Sequence, residues 1–288
     1  MKGTSRFAPR GKHVVLLGAA VTAASFTVAA RADGLRATYA ISLAGLSVGD
    51  ASLDVSSTGR AYHAELAMRL SGVAGLLTGA RGAAVSAGSI IGTRPVPSSY
   101  AIITSNGHAS RTVRMALHGG NVATVQVKPP LDIAEDRVPV TGANKLNVMD
   151  PISALVMPAP HPERPLDPSG CDRRLAVFDG VARFDVALAY ARTGAVSLPG
   201  YSGPALTCSA RYKPIAGHRA SLRSTSYMAE NRDMEISLAP IGGSTLLVPV
   251  RIAVRTLFGM LEIEATALQP SERNVTRKPL RAQARAAR

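Results

Sequence analysis

The sequence predicts a mainly β protein with minor α structure, in which a curled antiparallel sheet or half-open barrel wraps short helices. Strand-like runs that alternate apolar and polar residues recur along most of the chain. Turn dipeptides such as Asn106-Gly107 separate several of these runs. The chain has no Trp and only 4% aromatic residues, so the core must be built from aliphatic side chains.

The first 32 residues have the three parts of a cleavable Sec signal peptide. Four Lys and Arg residues within the first twelve positions precede an apolar run of 17 residues, and Ala30-Arg31-Ala32 ends the segment with small side chains at positions −3 and −1. We therefore expect cleavage before Asp33 and a periplasmic location. A membrane anchor is the alternative, because 17 residues reach the lower limit for a bilayer span.

Residues 33–272 are expected to form a single β-rich envelope domain, followed by a disordered basic tail over residues 273–288. The signal segment holds five of the 33 basic residues and the tail holds six, while neither contains an acid. The body therefore has 22 basic and 19 acidic residues, a balance that is not typical of nucleic-acid binding. From this charge balance we expect no nucleic-acid partner. No later apolar run is long enough to cross a bilayer, so we also expect no stable transmembrane anchor.

In the first half of this domain, residues 100–127 are predicted to form a three-strand antiparallel meander. Asn106-Gly107 is a strong hairpin signal, and Gly119-Gly120 leads into the next strand. The predicted strands of this half span residues 38–46, 51–56, 62–70, 100–104, 111–117 and 122–127.

The segment Ser71–Gly82 interrupts the strand pattern. It carries Val73, Leu76 and Leu77 at helical spacing, but four glycines weaken a helix by about 1 kcal/mol each relative to Ala. We interpret it as a short, loosely held helix or loop that serves as a ligand lid. The alternative is that the glycines only allow the segment to lie close against the sheet.

The second half begins with Asp150-Pro151, which is predicted to cap and open a short helix that ends before Pro158. Opposite charges on Arg251 and Arg255 and on Glu262 and Glu264 are expected to face each other across neighbouring strands. The predicted strands of this half span residues 175–178, 183–191, 205–213, 222–228, 234–238, 246–256 and 260–268.

Cys171 and Cys208 are the only cysteines, 37 positions apart. In an exported protein such a pair is expected to form a disulfide, which would stabilise the fold by roughly 3–4 kcal/mol. Two free thiols are the alternative. A zinc site is disfavoured, because two cysteines without a nearby pair of histidines cannot complete four ligands.

We find no pattern typical of catalysis, so we expect neither enzymatic activity nor a cofactor or metal. The six histidines are scattered, and the Gly200–Gly203 turn lacks the spacing of a nucleophile elbow. Asp132, Glu135 and Asp136 lie among prolines and are interpreted as a solvated loop. Asp179-Gly180 is interpreted as a hairpin turn.

Several segments resemble, in order and spacing, the family called domain of unknown function 3108. The segments are the opening Tyr39–Ala51 pattern, Asp150-Pro151 with Ser153-Ala154-Leu155, Val177–Gly180 with Phe184-Asp185, and Pro249–Ile252. The resemblance implies an exported bacterial protein of unsettled activity. It also implies a distant similarity in fold to the half-open barrels of periplasmic lipoprotein carriers, which hold acyl chains in an apolar cavity.

Two functions therefore remain open. In the first, the sheet holds a lipid or another apolar ligand, and the partner is a lipid or a lipidated protein. In the second, the domain is a structural or adaptor protein of the cell envelope that docks an envelope protein through a strand edge or the basic tail. A well-formed cavity would favour the first function and a filled core the second.

Overall fold

A computed structural model describes residue 1 and residues 33–271, except for residues 59, 73, 74, 76–78, 133 and 241–244. The predicted signal peptide and the predicted basic tail therefore lie outside the described residues. Their boundaries and the expected cleavage before Asp33 stay predictions.

The described residues are dominated by long strands, which confirms the predicted fold class. The strands are β1 Asp33–Leu43, β2 Leu46–Ser57, β3 Ala61–Leu70, β4 Arg81–Ile91, β5 Arg94–Ser105, β6 Ser110–His118, β7 Asn121–Lys128, β8 Met157–Pro158, β9 Arg173–Phe178, β10 Arg183–Leu198, β11 Tyr201–Ala216, β12 Met234–Pro240, β13 Leu246–Thr256 and β14 Gly259–Pro270. One α-helix, α1, spans Arg223–Glu230, and short 3₁₀ turns span Ala143–Lys145, Ser153–Leu155 and Pro168–Cys171.

All strands belong to one antiparallel sheet that is not closed. The strand order is β7-β6-β5-β4-β3-β2-β1-β14-β13-β12-β11-β10-β9, with β8 paired to β13. Nearly every neighbour in this order is also a neighbour in sequence, as a meander predicts. The exception is the pair β1 and β14, which joins the two halves of the chain.

The sheet curls far enough for one short segment to reach both of its ends. The Val148 N–H donates to the Gly120 carbonyl in the β6–β7 turn at 2.7 Å. The next residue, Met149, bonds to β9 through the Ala176 carbonyl and the Phe178 N–H. Residues 147–149 therefore form a seam between the two end strands of the half-barrel.

Two apolar clusters fill the molecule, and both depend on the chain between β7 and β9. In the larger cluster, inward side chains of β1 to β6, including Tyr39, Leu53 and Val113, pack against Val148, Ile152 and Val156. In the smaller cluster, β9 to β13 pack around Cys171, Cys208 and Met157. Residues 148–157 therefore fill the concave side of the sheet in the described part of the chain. A filled core is the outcome expected for the adaptor function, so a carrier would have to bind its ligand in an open groove and not in an internal cavity.

The predicted strand over residues 222–228 is wrong, because the structure forms α1 there. Thr225 and Met228, three positions apart, are partly buried, while Leu222 is 43% exposed. The Ser226 N–H bonds to the Leu222 carbonyl, four positions earlier, which is the spacing of a helix and not of a strand. Met228 packs against the smaller apolar cluster, so tertiary contacts decide the conformation of a short and largely polar segment.

Candidate functional site

A buried polar cluster lies where residues 150–153 cross the concave face. Asp150 and Ser153 have no exposed surface, and Ser86 of β4 and Tyr62 of β3 are almost fully buried. The Asp150 Oδ1 atom accepts from the backbone N–H groups of Ile152 and Ser153, each at 2.9 Å. This is the cap that the Asp150-Pro151 pattern predicts, although it opens only a 3₁₀ turn.

The other oxygen of Asp150 faces hydroxyl groups. Its Oδ2 atom lies 2.8 Å from the Ser86 Oγ and 2.5 Å from the Ser153 Oγ. The two serine oxygens lie 2.8 Å apart, and the Tyr62 Oη lies 2.6 Å from the Ser153 Oγ. Four short oxygen–oxygen contacts therefore link four side chains.

The Ser86 Oγ also lies 3.3 Å from the Ser99 carbonyl oxygen, so each hydroxyl group of the cluster has an acceptor within reach. Burial raises the pKa of Asp150, even though its hydrogen bonds with Ser153, Ser86 and the Ile152 N–H oppose the shift.

The tyrosines around this carboxyl group are also buried. Burial raises the pKa of Tyr62 to about 12, and burial followed by the nearby charge of Asp150 raises the pKa of Tyr100. The cluster is closed to solvent, so no substrate can reach the carboxyl group. We therefore assign it the structural role of fixing residues 150–156 to the sheet.

An open groove lies beside the seam. Its volume is about 430 Å³, within the range of about 300–1,000 Å³ that is usual for ligand sites. Most of its wall is apolar, and its only charged side chains are Asp132, Arg137 and Lys145. The apolar wall includes Val125 of β7, Leu131, Val138, Val140, Phe178 of β9 and Val181 of the β9–β10 turn.

The segment that carries Arg137 is held against the chain after β11. The Arg137 Nη1 donates to the Gly217 carbonyl at 2.6 Å, and Val138 forms two backbone bonds with residues 217 and 218. Asp136 accepts from the Arg219 Nε at 2.8 Å and from the Ser221 hydroxyl. These bonds, from Ser221 first, lower the pKa of Asp136 to about 2, so it stays ionised and holds the segment in place.

Arg137 and Lys145 are the two cationic side chains in the lining of the groove. The Arg137 Nε is buried and has no hydrogen-bond partner within the described part of the chain. Lys145 forms no ion pair among the residues that the structure describes.

The predicted lid residues Val73, Leu76 and Leu77 lie outside the described residues, so the lid stays a prediction. The neighbouring glycines are described. Gly72 and Gly79 have φ of +60° and +55°, and a Cβ on Gly75 would lie 2.6 Å from the Leu70 carbonyl oxygen. Backbone geometry therefore accounts for three of the four glycines, whether or not the segment acts as a lid. The Gly75 N–H bonds to the Ser71 carbonyl and the Gly79 N–H to the Gly75 carbonyl, which is the spacing of the predicted short helix. The groove beside the seam is lined by other parts of the chain.

The structure joins Cys171 and Cys208 by a disulfide, as predicted, with Cα atoms 5.5 Å apart. The bond ties the 3₁₀ turn Pro168–Cys171 to the middle of β11. Both cysteines are fully buried in the smaller apolar cluster.

The predicted charge pairing across β13 and β14 is confirmed for Arg251, which contacts both Glu262 and Glu264. Arg255 pairs instead with Asp233, at 2.8 Å. Asp179 accepts from the N–H groups of Val181 and Ala182, as its interpretation as a hairpin turn requires. Its neighbour Gly180 lies against Val113 of β6.

Sequence reasoning missed both the groove and the buried carboxyl group. The groove combines β7, a loop and the β9–β10 turn, which meet only because the sheet curls. The local pattern of Asp150 indicates a helix cap, but nothing in it indicates that Ser86 and Tyr62 enclose the carboxyl group. A polar Ser86 within the small, apolar run of β4 is the one available signal.

Two kinds of feature are missing from the described part of the chain. No three His, Cys, Asp or Glu side chains there are placed to hold a metal ion. No helix there is long and apolar enough to cross a membrane.

No curated protein matches this chain. A similar solved structure is the β-barrel-like protein of domain of unknown function DUF1849 from Brucella abortus, at 9% sequence identity. The match covers 84% of this chain and 99% of that chain, with a TM-score of 0.48. The family described as Protein of unknown function (DUF3108) matches residues 38–266, in agreement with the resemblance of the sequence, and the chain therefore belongs to that family.

Proposed function

We propose that this protein is an exported, non-catalytic carrier of an amphipathic lipid-type molecule that binds in the groove beside the seam. The apolar chain of the ligand lies against Val125, Leu131 and Val181, and its acidic headgroup lies on Arg137 and Lys145. The observation that carries the proposal is a mostly apolar groove whose lining also includes the cationic side chains of Arg137 and Lys145.

The energetics of such a ligand are reasonable. Each CH₂ group removed from water contributes about 0.8 kcal/mol, so an acyl chain gives useful affinity without a dense set of polar contacts. A charge-assisted bond between guanidinium and a carboxylate or phosphate would fix the orientation of the headgroup. A predicted signal peptide and a disulfide that needs an oxidising compartment support a site of action in the periplasm.

The test begins with the protein purified from the envelope fraction without detergent. Mass spectrometry of the extracted ligand should find an acidic amphiphile, and a fluorescent fatty acid should bind to the delipidated protein. Lys145→Gln should weaken binding of this probe, while Lys128→Gln, at an exposed position of β7 outside the groove lining, should leave it unchanged.

Leu131→Asp, in the groove wall, should abolish uptake of the probe, while Ile103→Asp serves as the control at a position that is already 50% exposed. Circular dichroism should show both variants folded. If the wild-type protein binds no acidic amphiphile, or if the groove variants bind it as the controls do, the carrier function is wrong.

The free edge of β7 favours a second candidate, an envelope adaptor. β7 ends the strand order, and its sequence between Asn121 and Lys128 has no charge and no proline. Such an edge can accept a strand from another protein. Thr124→Pro should hinder this pairing, and fatty-acid binding by the same variant checks the groove, because Val125 of the groove wall is the next residue. Loss of envelope partners in a pull-down while fatty-acid binding is retained would support the adaptor function.

A further inference from the structure

Two neighbouring hairpins expose large apolar side chains at the same end of the sheet. Phe258, in the turn between β13 and β14, is 80% exposed, and Leu257 beside it is 39% exposed. Leu46, where the β1–β2 turn ends, is 72% exposed. β14 and β1 are paired strands, so these two turns lie side by side.

The two turns are rigid. Thr256 donates its hydroxyl to the Gly259 carbonyl and accepts from the Phe258 N–H, which fixes the β13–β14 turn. Ala44 and Gly45 both have positive φ, as a tight two-residue turn between twisted strands requires. The Ala44 N–H donates to the Met260 carbonyl at 2.8 Å and links the two turns. The apolar tips are therefore held outward by the backbone.

Cations surround the same end of the sheet. Arg69 of β3 and Arg81 of β4 are directly paired in register, and only Arg69 has a described acidic partner, Asp50. Arg111 of β6 is exposed at this end as well. Like charges placed opposite each other destabilise a sheet, so an external anionic surface would relieve this pair.

We infer that this end of the sheet docks on an anionic lipid bilayer, with Phe258 and Leu46 inserted between the headgroups and Arg81 lying over them. A protein partner would need a recess that matches these protruding side chains. A fluid bilayer can take them up without such a matching shape. Apolar insertion combined with nearby basic residues is the pattern by which proteins bind the membrane interface. The inference is independent of the ligand proposed for the groove.

The absence of Trp makes the test specific to position. Phe258→Trp introduces a single Trp at the tip, and Ile91→Trp places one at the β4–β5 turn, 66% exposed at the opposite end. The full chain is expressed, the form that accumulates in the cell envelope is purified, and vesicles of neutral or partly anionic phospholipid are added. The Phe258→Trp emission should shift to the blue with anionic vesicles and be quenched by brominated lipid, while the Ile91→Trp emission should not change.

Affinity provides the second readout. Phe258→Asp should weaken binding to anionic vesicles about tenfold, and Arg81→Gln about fivefold. Ile91→Asp and Arg60→Gln, exposed at the opposite end, should bind as the wild type does. The inference is overturned if Trp at position 258 stays in water, if the control variants lose as much affinity, or if Phe258→Asp instead abolishes self-association in light scattering. None of these results would bear on fatty-acid binding in the groove.

Discussion

At the residue scale, Asp150 is the most unusual group in the molecule. Its carboxyl group is buried and accepts four hydrogen bonds, and burial raises its pKa. The same residue is a cap, a tether and a titratable group. Local sequence predicts only the role as a cap, because the Asp-Pro pattern specifies a turn but does not specify which side chains of the sheet surround the carboxyl group.

The raised pKa of Asp150 predicts how stability depends on pH. Between the pKa of an unfolded Asp, about 3.9, and the higher folded value, the folded chain binds more protons than the unfolded chain. The free energy of unfolding should therefore fall as pH rises through this interval. Asp150→Asn keeps an acceptor for the two N–H groups and removes the titration, so its stability should vary less with pH.

Urea unfolding monitored by circular dichroism between pH 4 and 8 measures this difference. Asp50→Asn is the control, because Asp50 is half exposed and pairs with Arg69 at the surface. If the wild type and Asp150→Asn follow parallel curves, folding does not raise the pKa of Asp150.

At the element scale, sequence predicts strands best where one face is buried and the other is solvated. β6 shows this alternation clearly, β3 shows it only from Ala61 to Glu65, and both strands lie where the pattern places them. β4 was missed, because its run of Gly, Ala and Ser has weak strand propensity. Those small side chains have a packing reason: Ala84 and Ser86 leave room on the concave face for residues 150–153. That requirement is visible only in three dimensions.

The disulfide is the element-scale feature with the clearest expected effect. It closes a chain segment of 37 residues that includes β9 and β10. In the chain-entropy model, such a loop corresponds to about 4 kcal/mol of stabilisation. Reduction by dithiothreitol should therefore lower the urea midpoint strongly, and the double variant Cys171→Ala with Cys208→Ala should behave like the reduced protein.

The double variant also leaves small cavities, because both cysteines are fully buried. Since it contains no disulfide, its unfolding should be insensitive to dithiothreitol, and that insensitivity is the control. An oxidised wild type that unfolds at the same urea concentration as the reduced protein would show that the bond adds nothing to stability.

At the scale of the whole molecule, the curl of the sheet is the feature on which the groove depends. A period-two pattern predicts strands and their faces, but it does not predict how strongly the strands twist together. The seam residues 147–149 show the result, because they bond to the β6–β7 turn and to β9 at once. Fold class could therefore be predicted from sequence, whereas the position of the candidate site could not.

Substitution of Gly180 tests whether contact between the β9–β10 turn and β6 holds the two ends of the sheet together. Its φ is +94°, and a Cβ there would overlap the Val113 Cγ1 on β6. Gly180→Ala should therefore combine a backbone cost of about 1–2 kcal/mol with a steric clash that pushes the β9–β10 turn away from β6 and β7. Hydrogen exchange should accelerate at Val148 and Met149, and fatty-acid binding in the groove should weaken.

Gly92→Ala is the matched control, because Gly92 in the β4–β5 turn also has positive φ, at +61°, but a Cβ there would have no described atom within 4 Å. It should carry a similar backbone cost and leave exchange at the seam unchanged. If both variants lose the same stability and exchange at Val148 and Met149 stays slow in both, contact between the β9–β10 turn and β6 does not hold the seam. The bonds of Val148 and Met149 to the two ends would then suffice to keep the half-barrel curled.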